Sequence, residues 1–316
     1  MAAEDAITAS EPTAKLPCVR SIRAGELTDV LAKGLGDFWA MPTHVVFVSL
    51  MYPVVGFVLG VATLGHHPVS DLYPLAAGFP LIGPFAAIGL YELSRRRELG
   101  LDTSWKHAFD VVYSKSLGSI VILSLLLTVI FIVWLAVARA VYVANFGYQE
   151  VTSLTTFARD ILTTPRGHNL IVEGNAVGLL FAVLAFSLSV VSFPLLLDRN
   201  VGAAAAALTS VRVVLRNPIT MAFWGLIVAC SLAAGFLAFF FGLALVMPVL
   251  GHSTWHLYRK VVEPDPSPRP QYHPRPEVQR YAADFPAVLF SPRHPKNDHR
   301  NMNNGHKNMN NLRAGS

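Results

Sequence analysis

NPITMAFWGLIVACSLAAGFLAFFFGLALVMPVLGHSTWHLY, residues 217–258, contains no Asp, Glu, Lys or Arg. Read as one helix it would be roughly 60 Å long, twice the hydrocarbon thickness of a bilayer. Two spans, 219–234 and 236–257, with a tight turn near Gly235, fit a bilayer instead. Four more apolar stretches of spanning length precede them, at 44–64, 73–92, 117–138 and 174–197. The expected fold class is therefore all-α: a polytopic helical membrane protein with six transmembrane helices.

Composition agrees. Of 316 residues, 53% are hydrophobic and only 14% are charged, where a soluble domain carries about 25%. The net charge of +5 and pI near 9.3 do not point to nucleic acid, because the basic residues form no stripe on a soluble domain. They sit in connectors and tails, where they report topology and contact with anionic lipid. Six spans place the N-terminal tail, the 93–116 and 198–217 connectors and the tail from Arg259 on one side, with twenty-two of the 25 Lys and Arg. Arg139, Arg159 and Arg166 remain on the other. Positive-inside then places both termini in the cytoplasm, in a bacterial inner (plasma) membrane, multi-pass. A five-span reading would expel the basic tail. The acid-rich first 42 residues lack the apolar core of a cleaved signal peptide. Cys18 lies in a polar tail and Cys230 in a span, a poor arrangement for a disulfide.

Three segments follow: 1–42, a cytoplasmic N-terminal tail with an amphipathic helix; 43–261, the six-helix transmembrane domain; 262–316, a Pro-rich then Asn/His/Lys-rich cytoplasmic tail, expected to be disordered. Helical spacing of apolar residues predicts four interfacial helices, on Leu27, Leu31, Leu35 and Phe38; on Trp105, Ala108, Phe109 and Val112; on Leu154, Phe157, Ile161 and Leu162; and on Leu208, Val211 and Leu215. A weak repeat is also visible. Arg97-Glu98-Leu99-Gly100 followed by Val111-Val112 recurs, 102 residues on, as Arg199-Asn200-Val201-Gly202 followed by Val213-Val214. That suggests a duplicated hairpin, spans two–three and four–five.

Few residues suggest chemistry. Glu173 and Asn175 open span four, where an acid at the edge of hydrocarbon can serve a cation path or simply sit wet among headgroups. His252 and His256 share a helical face near the cytoplasmic end of span six. That spacing can hold a metal or haem, but no Cys or carboxylate lies within a turn, and an aromatic belt with Trp255 and Tyr258 is the plainer reading. Asp198-Arg199 ends span four as a structural lock or a gate. His66-His67 and the His/Met-rich tail (His294, His299, Met302, His306, Met309) could chelate only weakly. Gly56-x-x-x-Gly60, with Pro53, Pro74, Pro80 and Pro84, marks close, kinked packing in spans one and two. Phosphate loops, zinc-protease motifs and hydrolase elbows are missing from the sequence, and no span carries a ladder of charges.

Thr155-Thr156-Phe157 through Arg166-Gly167-His168, Phe193-Pro194-Leu195-Leu196-Leu197-Asp198-Arg199, Asn217-Pro218, and Gly251-His252-Ser253-Thr254-Trp255-His256-Leu257-Tyr258-Arg259 together carry a resemblance. The chain resembles the DUF2189 family of proteobacterial integral membrane proteins of unknown function, over roughly residues 20–262. The resemblance implies a membrane protein and carries over no catalytic residue. Some relatives bear the label of a cytochrome oxidase subunit. Only His44, His252 and His256 lie within or beside the spans here, too few for two haems and a copper.

The expectation is thus an integral membrane protein that is no enzyme, with no cofactor, metal or catalytic residue. It acts by association as an accessory, assembly or organising factor, with membrane lipids and a protein of a membrane complex as partners. The alternative is a small-solute or lipid transporter or binder. Glu173, Asn175, Asp198, Arg199, His252 and His256 are the candidate binding residues.

Overall fold

The computed structural model describes residues 16–41, 87–148, 154–238 and 241–265. Span one, most of span two, the His66-His67 turn and the tail beyond 265 lie outside the described residues. The described helices are α1 (Glu26–Ala40), α2 (Ile88–Glu98), a 3-10 helix (Trp105–Tyr113), α3 (Leu117–Phe146), α4 (Leu154–Thr163), α5 (Pro165–Ser189), α6 (Ser192–Asp198), α7 (Ala203–Arg216), α8 (Pro218–Leu237) and α9 (Phe241–Val261). The chain is a helical membrane protein. Among the described residues, three helical stretches are long and apolar enough to cross a bilayer: Leu117–Phe146, Pro165–Asp198 and Pro218–Leu237. They correspond to the expected spans three, four and five.

The uncharged block does fold as two helices. Gly235, near the end of α8, meets Gly242 of α9: a Cβ on Gly242 would lie 2.6 Å from the Gly235 Cα. Only glycine permits so close a return. The sixth expected span is real as a helix but differs in character. The second half of α9 carries His252, Ser253, His256, Arg259 and Lys260, and Trp255, Leu257 and Tyr258 are fully buried by protein. Its polar end is sheathed by other helices rather than by lipid.

Span four bends for a local reason. Pro194 has no N–H for the Val190 carbonyl, so α5 ends and α6 begins one step further on. Side chains serve the backbone groups at this break: the Val191 N–H donates to Ser210 Oγ at 3.2 Å, and the one Ser192 hydroxyl hydrogen is shared between the Leu188 and Ala206 carbonyls. At the start of α5, Pro165 fills the first helical position and Thr164 Oγ1 caps the Gly167 N–H at 3.0 Å.

The interfacial helices form with altered faces. In α1 the buried side is Leu27, Val30, Gly34, Asp37 and Phe38; Leu35, expected inward, is exposed. Trp105, Phe109 and Val112 share an outward face on a 3-10 helix rather than an α-helix, and only Val111 of that helix is buried. Leu208 and Leu215 of α7 also point outward, while small and polar Ala206, Thr209 and Ser210 pack inward.

The two stretches of the repeat run through elements in a similar order. α2, the 3-10 helix and α3 follow the same order as α6, α7 and α8. Gly100 (φ +67°) and Gly202 (φ +83°) both turn the chain through the left-handed region, and Val111 and Val213 are both buried.

The segment ahead of α1 lies against the end of α9. Val19 bridges Val262, the Arg20 N–H donates to the Val261 carbonyl at 2.7 Å, and the Glu263 N–H donates to the Cys18 carbonyl at 3.0 Å. Asn217, just ahead of Pro218, holds the same segment. Its Oδ1 accepts from the Ile22 N–H at 2.8 Å, and its Nδ2 donates to the Arg20 carbonyl at 3.0 Å.

α1 meets α9 where Gly34 faces Ser253. A Cβ on Gly34 would come within 1.9 Å of Ser253 Oγ and 2.6 Å of its backbone N. Gly34→Ala should therefore push the helices apart and lower the melting temperature in detergent by several degrees. Gly36→Ala, whose Cβ would meet only Arg97 Nη1 at 3.9 Å, should be neutral or stabilise by about 0.5–1 kcal/mol. Equal melting of the two variants would show that the crossing does not depend on contact at Gly34.

Candidate functional site

Residues 251–260 of α9 gather the polar groups of three other elements. Gly251 comes first, because it lets Leu90 of α2 lie against the helix; a Cβ there would sit 2.4 Å from Leu90 Cδ1. With α1 seated at Gly34 and α2 at Gly251, Asp37 and Ser94 are brought beside His252 and His256. Ser94 Oγ donates to Asp37 Oδ2 at 2.5 Å and lies 2.8 Å from His252 Nδ1. His256 Nε2 lies 2.9 Å from the same carboxylate oxygen. Arg97 pairs with the other oxygen, Oδ1. Ser94 has one hydrogen, so it can donate to Asp37 only while His252 Nδ1 carries a proton.

The next face of α9 repeats the arrangement. Trp255 Nε1 and Arg259, four residues apart, both bond Glu98 of α2, Trp255 at 3.0 Å and Arg259 Nη2 at 2.8 Å. Tyr258 donates to Asp198 Oδ2 at 2.6 Å, and Arg199 and Arg259 approach that oxygen at 3.7 and 3.6 Å. Lys260 closes the series on Asp29 (2.9 Å) and Glu26 (3.3 Å) of α1.

His252 and His256 are therefore not interfacial imidazoles in an aromatic belt. His252 is completely buried; His256 meets Asp37, far away in the sequence, directly, and His252 meets Ser94, which donates to the same aspartate. Asp198 and Arg199 sit where a lock would, between α6 and α9. Glu173 and Asn175 lie elsewhere: Glu173 is exposed and accepts from Asn145 Nδ2 at 2.8 Å, and Asn175 donates to its own helix at the Ile171 carbonyl. Sequence reasoning missed Asp37, Ser94, Arg97 and Glu98. Among these, only Asp37 carried a signal, as an acid within the apolar face of α1.

The arginine run of α2 is consumed internally as well. Arg95 forks onto Glu92 at 2.8 and 3.1 Å. Arg96 donates to the Asp102 carbonyl at 2.6 Å and approaches Asp110 at 3.5 Å. Among the described residues, no group of three His, Cys, Asp or Glu side chains is placed to hold a metal.

With this geometry in view, the chain can be placed. Residues 72–198 match the model of DUF2189, a predicted integral membrane protein. Over that stretch the chain is similar to the DUF2189 family. No curated protein and no solved structure matches it. The DUF2189 match ends at Asp198, and so includes every α2 and α6 partner in the site. It is narrower than the resemblance read from the sequence, since α1 and α9, which supply the other half of the contacts, fall outside it.

Electrostatics decide how α1 is held. Burial alone would raise the Asp37 carboxyl, but hydrogen bonds from His256, Ser94 and Arg97 outweigh it and hold the group below the usual aspartate value. A depressed carboxylate stabilises the fold fully above its unfolded pKa, and that contribution is lost as pH falls through the folded value. Removing one partner from a buried charged cluster costs about 3–5 kcal/mol, and Arg97 is partly exposed, so Asp37→Asn should cost about 3 kcal/mol near neutral pH. In melts of detergent-solubilised protein, the gap between wild type and D37N should be full at pH 7 and should close below the ordinary aspartate range. A gap that persists there would mean that shape, not charge, holds the cluster.

Proposed function

We propose that this protein is a multi-pass inner-membrane protein with six spans and cytoplasmic termini that acts by association, as an accessory, assembly or organising factor, without catalysis. One observation carries this reading: the polar groups that could have served chemistry are engaged in joining helices. Asp37, Glu98 and Asp198 each tie one element to α9. A scaffold that holds its ends so firmly presents constant outer faces. Those faces are broad and apolar, with Ile122, Leu125 and Ile132 exposed on α3 and Leu179, Leu180 and Val183 on α5. Trp39 and Trp105 are exposed on α1 and the 3-10 helix, a placement suited to the headgroup layer or to a membrane partner.

The orientation rests on the asymmetry of Lys and Arg. Arg95, Arg96 and Arg97 are paired in the fold, but they still count, because acidic neighbours contribute little to orientation during insertion. The alternative, a transporter or binder of a small solute or lipid, gains support from an apolar recess between α3, α4 and α5.

Native mass spectrometry of the full chain, gently extracted with a C-terminal tag, tests the reading. A protein partner retained in fixed stoichiometry is expected. The chain alone, carrying one defined small solute, would overturn it in favour of transport. Cys18 and the C-terminal tag should also be labelled from the same, cytoplasmic side of the membrane; labelling from opposite sides would remove the six-span topology.

A further inference from the structure

Arg212 and Arg216 stand four residues apart on α7, and both are exposed. Among the described residues, no hydrogen bond or ion pair engages either guanidinium. Both line a groove of about 490 Å³, together with Leu215 of the same helix and Leu16, Pro17 and Val19 of the segment ahead of α1. Cations and apolar side chains are thus walls of one groove. The face of α7 that carries Ala206 and Val213 is buried, so the groove lies on the outside of the bundle.

The two walls are tied together. Asn217 follows Arg216 directly, and its Nδ2 donates to the Arg20 carbonyl at 3.0 Å. Glu263, the acid beside that segment, faces Arg20 at 3.6 Å rather than the groove arginines. The position of the groove relative to a bilayer follows from α8. Pro218 opens that helix two residues after Arg216, and α8 is long and apolar enough to cross. Ile219 and Phe223 are exposed at its start. The groove therefore opens at the depth where headgroups meet the first acyl carbons. A guanidinium can fork onto a phosphate there, and a basic pocket at the ends of spanning helices suits an anionic headgroup.

We propose that this groove binds an anionic glycerophospholipid, its phosphate held by Arg212 and Arg216 and the upper part of one acyl chain lying against Leu16 and Leu215. A lipid is favoured over a free phosphate because the groove has an apolar wall. It is favoured over an acidic protein segment because the groove opens beside the start of a span. The proposal depends on α8 crossing the bilayer; it goes beyond association as a function and stands whether or not a protein partner is found.

The test uses the full chain in phosphatidylcholine vesicles containing a trace of phosphatidylglycerol or of phosphatidylcholine, each with a photoreactive group beside the glycerol, and adducts mapped by peptide mass spectrometry. Phosphatidylglycerol should label peptides containing 16–19 and 212–216 several-fold more than phosphatidylcholine does. The double variant R212Q/R216Q should reduce that labelling about tenfold and leave phosphatidylcholine labelling unchanged. Both side chains are exposed, so circular dichroism and melting should remain as in the wild type. K106Q/K115Q removes two exposed cations from the other basic connector and should leave groove labelling intact. Equal losses in the two double variants, or labelling indifferent to headgroup, would reduce the site to diffuse surface attraction and overturn the proposal. Competition by excess soluble glycerol 3-phosphate would overturn it in favour of a free phosphate. Photo-crosslinks from a reactive group placed at Leu215 to residues 1–15 in place of lipid would overturn it in favour of the chain's own acidic end.

Discussion

A carboxylate drawn out of water determines how this molecule is put together. Asp37 is buried, and a buried charge is tolerated only when hydrogen-bonded and paired. Its partners come from α2 (Ser94, Arg97) and α9 (His256), so α1 can settle only where all are in place. The packing and the polar contacts require each other. Gly34 and Gly251 allow the backbones close enough for the side chains to meet, and the side chains fix the register at which the glycines face Ser253 and Leu90. Ser253 Oγ is buried with no hydrogen-bond partner among the described residues, which marks that position as chosen for size rather than for bonding.

This division of labour explains what was legible in the sequence. Spans three to five and the α8–α9 hairpin were readable because long uncharged runs leave few alternatives, and Gly235 was the visible place to turn. The altered face of α1 was not. Its buried side includes Gly34 and Asp37, neither apolar, so a search for hydrophobic periodicity favoured Leu35, which faces out. The site was half visible. His252 and His256 stood out by their spacing, but their partner lies 219 residues from His256, and nothing in local pattern joins residues that distant. Ser94, Arg97 and Glu98 were hidden for another reason: in a charged connector they read as solvent-facing groups, and Arg95–Arg97 read as topology markers.

The arginine run makes two physical roles visible in the same residues. Orientation is decided while the chain inserts, when Lys and Arg matter and Asp and Glu hardly count. Packing is decided afterwards, when Glu92, Asp37 and Asp110 are close enough to pair with those arginines. A connector can therefore be strongly basic for topology and still leave little free positive charge on the finished surface. Arginines elsewhere in the chain meet aromatic rings instead. Arg139 and Arg166 lie over the aromatic rings of Tyr142 and Phe146.

The same contrast separates the two ends of the bundle mechanically. Around α9, polar groups are buried, numerous and mutually dependent, and such networks oppose small adjustments because losing one member strands the others. Around α3, α4 and α5 the contacts are aromatic and aliphatic, with a recess beside Gly174 that the chain's described side chains leave open. Apolar packing of this kind tolerates repacking. A protein built to associate within a membrane needs both properties. One end fixes α1, α2 and α6 against α9 through polar contacts, and the other packs through apolar ones.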